Sequence, residues 1–88
     1  MKRSEVLDTA KEYVCKDRED DYGTPEDSFN AIAKYWSQYL NHPVTAHDVA
    51  VMMALLKIAR IQTGRFKADS YIDACGYLAC AGEIGDNG

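Results

Sequence analysis

The sequence has 88 residues, 47% of them hydrophobic and 27% charged, with a formal net charge of -4. That length sets a single domain, and that mixture excludes a disordered chain apart from its ends. The acidic balance, with no Lys/Arg cluster longer than Lys2-Arg3, disfavours duplex nucleic acid and anionic membranes, because both need a basic stripe.

Four helical segments are expected in chain order, separated by turn signals. There is no internal repeat, and no alternating polar–apolar run reads as a strand. The first runs from about Ser4 to Lys16. Ser4 is its candidate cap, and Leu7, Ala10 and Val14 recur at helical spacing. A charged stretch, Asp17 to Asp21, then closes at Tyr22-Gly23 as a turn.

The second segment has the sharpest start. Thr24-Pro25-Glu26-Asp27 sets a capping hydroxyl before Pro at the first helical position, with a carboxylate three residues after the cap. Phe29, Ile32, Ala33, Trp36 and Leu40 form one stripe, which Tyr35 and Tyr39 widen. Asn41-His42-Pro43 stops the helix. Two readings of Tyr35 and Tyr39 stand side by side: the rings cover the core, or they form an interface in a homo-oligomer.

The third segment repeats the capping logic with Thr45 and Asp48 and runs to about Thr63, where Gly64 suits a C-terminal turn. It is apolar on every side from Val49 to Leu56. A helix of that kind is surrounded by protein. The fourth segment runs from Ala68 or Asp69 to Ile84, with Tyr71, Cys75 and Leu78 on one face and a frayed tail from Gly85. Gly76 within it hints at a close helix crossing. The expected fold is therefore all-α, a four-helix antiparallel bundle over residues 1–88 with the third helix buried at its centre.

Three cysteines, Cys15, Cys75 and Cys80, form no disulfide framework and no zinc pattern, which points to reduced thiols in a cytoplasmic protein. No apolar region follows Met1-Lys2-Arg3, so a signal peptide is not expected. The longest apolar run is far short of a membrane span.

Lys57 and Arg60 are the most informative charges. They stand three apart on an otherwise apolar helix and so share a face. A cation there needs an acidic partner. Asp69 and Asp73, four apart on the next helix, are the natural candidates. One reading is a structural ion-pair network that sets helix register. The other is a polar pocket, in which Lys57 and Arg60 hold phosphate oxygens and Asp69 and Asp73 hold a metal ion such as Mg²⁺. Arg18 and Tyr22 could add to such a phosphate-binding pocket. His42 and His47 read as surface residues, and Ser28, Ser37 and Ser70 lie in no nucleophile elbow. No glycine-rich phosphate loop is present, so nucleophilic catalysis is not expected.

Across residues 16–84 these positions form a recognisable order: Arg18, Tyr22-Gly23, Phe29, Trp36, Thr45-x-x-Asp48, Lys57-x-x-Arg60, then Asp69-Ser70-Tyr71-x-Asp73-x-x-Gly76-Tyr77. The order resembles a family of small phage and prophage proteins of unknown function. That resemblance implies a helical protein made inside a bacterial host. More distantly, the chain is similar to MazG-like all-α nucleoside triphosphate pyrophosphohydrolases and to phage nucleotide-modification-associated domains. Those enzymes hold Mg²⁺ between a Glu-x-x-Glu pair and an acidic pair on the next helix. Asp69-Ser70-Tyr71-Ile72-Asp73 resembles the second acidic element. Lys57 and Arg60 stand where the first would be, which reverses the charge of half the site. The resemblance therefore implies a nucleotide ligand more than it implies hydrolysis.

Overall fold

The computed structural model describes residues 1–17 and 24–87. Among these, α1 (Arg3–Glu12) continues into a π-helical turn (Tyr13–Asp17), and α2 (Pro25–Leu40), α3 (Ala46–Thr63) and α4 (Ala68–Asn87) follow. The described residues contain no strand. The helices pack as a bundle, as the apolar periodicity implies.

Local chemistry explains both ends of α2 and its joint to α3. The Asp27 N–H donates to Thr24 Oγ1 at 3.2 Å, with Pro25 at the first helical position where no intrahelical N–H is needed. Asn41 ends α2 in the left-handed conformation, φ 53°, which Asn adopts more readily than most residues. The turn that follows is clamped by Ser37. Its Oγ accepts the Val44 N–H at 2.8 Å and donates to the Val44 carbonyl at 3.2 Å. Ser37 thus serves the joint between α2 and α3.

α3 and α4 form the principal pair, with α2 against α3 and α1 against α4. The short link at 64–67 makes α3 and α4 antiparallel neighbours. Their far ends agree: a Cβ on Gly85 would meet His47 Cδ2 at 3.2 Å. The core takes Phe29 and Ala33 from α2, Ala46, Val49, Ala50 and Ala54 from α3, and Tyr77, Cys80 and Ala81 from α4. Alanines on the facing sides let the helices approach closely. Val49 and Ile72 have almost no contact with water, a burial that stabilises by about 1.5–3 kcal/mol each.

Several sequence expectations need correction. Lys2, not Ser4, caps α1; its N–H donates to Glu5 Oε1 at 3.2 Å. Leu7 is exposed, because α1 packs chiefly against α4 and buries only Ala10. Leu40 is exposed at the end of its stripe. On α4, the face shared by Tyr71 and Leu78 is the outward one, and Ile72, Tyr77, Cys80 and Ala81 point in. The α4 helix also runs past Ile84, with Gly85 passing close to the His47 ring. Gly64 does end α3 as expected, in extended backbone, its N–H donating to the Arg60 carbonyl at 3.0 Å. Tyr35 and Tyr39 are 74% and 90% exposed, so their rings do not cover this chain's core.

α3 is deeply buried on one side only. Val49, Ala50 and Ala54 are enclosed, while Met52, Leu55, Leu56 and Ile58 are exposed. Among the described residues, nothing encloses this apolar face of α3.

The crossing of α4 with the π-helical turn is tight. A Cβ at Gly76 would lie 2.9 Å from Val14 Cγ1. Ala at this position gains about 1 kcal/mol of helix propensity but overpacks by about 1–3 kcal/mol. Gly76→Ala is therefore expected to lower the urea midpoint. Adding Val14→Ala to it should cost less than Val14→Ala does alone in the parent. A raised midpoint for Gly76→Ala would show that Val14 yields freely.

Candidate functional site

The capping box that starts α3 is complete. The Thr45 N–H donates to Asp48 Oδ2 at 3.0 Å, and the Asp48 N–H donates to Thr45 Oγ1 at 3.1 Å. The Thr45 backbone N–H, and then its hydroxyl, hold the Asp48 carboxyl below the ordinary carboxylate range, and His47 and His42 add smaller pulls. Asp48 is exposed, so this charge stands at the outer N-terminal end of α3, where the helix dipole favours it.

The Lys/Arg/Asp group divides in two. Lys57 Nζ lies 3.0 Å from Asp73 Oδ2, with side chains 15% and 27% exposed. This is the only ion pair among the described residues. Arg60 and Asp69 are exposed and not paired with each other. Helical geometry explains the split. Three residues advance a helix by about 300°, which sets Arg60 about 60° round from Lys57, enough to carry it off the line on which Lys57 meets α4. Asp69 sits in the first turn of α4, beyond the close contact that Asp73 makes.

Arg18 and Tyr22 lie outside the described residues. The described residues contain no group of three or more His, Cys, Asp or Glu able to hold a metal ion, and Asp69 and Asp73 are not joined by a third ligand there. The concavities among the described residues include two that lie elsewhere. One is an open groove beside Asp27, Lys34, Ser37 and Ala46, and the other is a small hollow beside Val14, Cys15, Glu26 and Cys80. Neither includes Lys57, Arg60, Asp69 or Asp73.

His42 and His47 are exposed; the His42 Nδ1 lies 2.9 Å from the Pro43 carbonyl. None of the three cysteines forms a disulfide; Cys15 is exposed, Cys75 half-buried and Cys80 buried. Among the described residues no helix is long and apolar enough to cross a membrane.

The feature missed in the sequence is the outward face of α3. Its signal was there, since a helix apolar all round needs cover on all sides. That this face stays exposed among the described residues emerges only from the packing. A second exposed aromatic group lies at the α3–α4 turn, where the Phe66 and Tyr71 rings stand 5.5 Å apart.

A family profile described as Domain of unknown function (DUF6378) matches residues 5–85. Two curated relatives are similar to this chain. The Gene 55 protein of Mycobacterium phage D29 is 35% identical over 79 residues, covering 90% of this chain and 52% of the relative. The Gene 55 protein of Mycobacterium phage L5 is 40% identical over 73 residues, covering 82% of this chain and 47% of the relative. The chain thus spans about half the length of the curated relatives it matches. No solved structure matches it.

Proposed function

The chain belongs to the DUF6378 family, and on that premise we propose that it is a small helical protein of phage or prophage origin that acts by non-catalytic association in the cytoplasm of a bacterial host. In this reading Lys57 and Asp73 set the register of α3 against α4. They are not a ligand site. The observation that carries it is the uncovered apolar side of α3, where Met52, Leu55 and Leu56 face water on an otherwise well-formed helix. Lys57 already has its counter-charge in Asp73, which weakens its claim on a phosphate.

One observation favours a second reading. Arg60 and Asp69 are exposed and unpaired with each other near the α3–α4 turn. With Lys57, and with Arg18 and Tyr22, Arg60 could receive a nucleotide's phosphates, and Asp69 and Asp73 could approach Mg²⁺, as in the MazG-like enzymes. A thermal-shift scan against ribo- and deoxynucleoside triphosphates, with and without Mg²⁺, separates the two. A ligand at about 100 times its dissociation constant adds about 2.7 kcal/mol to the folded state. In a domain this small that moves the midpoint by several degrees. The association reading expects a flat result; a shift with one nucleotide class overturns it.

A further inference from the structure

We propose that the outward face of α3 is a self-association surface, and that its occupant is α3 of a second copy of this chain, lying antiparallel to it. The inference rests on the association reading and names the partner. The exposed residues Met52, Leu55, Leu56 and Ala59 recur at three- and four-residue spacing, so they form one stripe. The stripe is centred close to the midpoint of a helix that runs from Ala46 to Thr63. A patch centred this way is carried onto itself by a two-fold axis, which is what an isologous dimer requires.

The charges choose the direction. Asp48 is exposed near the start of α3, and Arg60, Arg65 and Lys67 are exposed at or beyond its end. Parallel pairing sets like charges and like dipole ends side by side. Antiparallel pairing sets the acidic end beside the basic end. In full overlap, Ala46 comes level with Thr63 of the partner subunit. Asp48 then comes level with Ile61 of the partner subunit, one residue along from Arg60 of the partner subunit. One residue is about 1.5 Å of helix rise, well within an arginine's reach.

Sedimentation equilibrium on the full chain tests this. The parent protein is expected at twice the chain mass. Leu55 is 56% exposed, so Leu55→Glu removes no core contact and keeps a good helix former. It is expected to sediment at the chain mass with an unchanged helical circular-dichroism spectrum. Arg60→Glu, which sets two acids together, is expected to weaken the dimer by about threefold to tenfold and to reduce its salt dependence. Tyr39→Glu on α2 is the control and is expected to leave the dimer intact. A parent protein at the chain mass at every concentration overturns the proposal, and so does a dimer lost with Tyr39→Glu but kept with Leu55→Glu. Either result leaves the broader association reading standing, because that reading falls only to a nucleotide-dependent thermal shift.

Discussion

Phe29→Ala is expected to lower stability by about 3–5 kcal/mol, the range for removing a buried aromatic ring and leaving its cavity. The whole domain is worth on the order of 5–10 kcal/mol, so a large part of the folded population is at stake. Phe29 is buried one turn into α2, and its ring stands 6.2 Å from that of Tyr77 on α4, tilted by 51°. Such aromatic pairs add about 0.5–1.5 kcal/mol beyond the area they bury. The ring ties α2 to α4 across the core, whereas most of the hold on α2 comes from α3. Urea denaturation followed by circular dichroism measures the loss. A cost below about 1 kcal/mol would mean that α2 is held without this anchor.

Lys57→Met should cost about 1–2 kcal/mol. Breaking a fully buried pair costs about 3–5 kcal/mol, while exposed pairs are worth about 1 or less. Lys57 and Asp73 fall between, at 15% and 27% exposed. The substitution keeps the length of the side chain and leaves the Asp73 carboxylate facing a thioether. Replacing both together, as Lys57→Met with Asp73→Leu, should recover most of the loss, because no half-buried charge then lacks its partner. If Lys57→Met instead leaves stability untouched and abolishes a nucleotide-dependent thermal shift, the pair is part of a pocket and not a register pin.

How much of the site was legible follows from the same geometry. Spacing alone put Lys57 and Asp73 on adjacent antiparallel helices, and the 3.0 Å pair is there. Spacing could not separate Arg60 from Lys57. Residues three apart share a face only loosely, and a tilt of the contact by a fraction of a turn decides which one meets the neighbour. Arg18 and Tyr22 fall outside the described residues. The sequence order Lys57-x-x-Arg60 and Asp69-x-x-x-Asp73 therefore brought the right helices together without deciding which cation meets which carboxylate.

Helix boundaries are local events, and here both ends of α2 and the start of α3 were readable in advance, while the α1 cap and the end of α4 were not. Thr24 with Pro25, Thr45 with Asp48, and Asn41 each act through hydrogen bonds or dihedral preferences within a few residues of chain, so neighbours in sequence suffice to determine them. The facing of each helix is a different matter. Leu7, Leu40, Tyr71 and Leu78 are as apolar as the residues that are buried, yet they point to water. Apolar surface is attracted to any other apolar surface without direction, so a helix with more apolar residues than one face can hold does not specify which of them go inside. Only the assembled bundle decides. Here α4 presents Ile72, Tyr77 and Ala81 inward because Gly76 lets it press against Val14, and α3 keeps Met52, Leu55 and Leu56 outside because its other flank is already taken by α2 and α4.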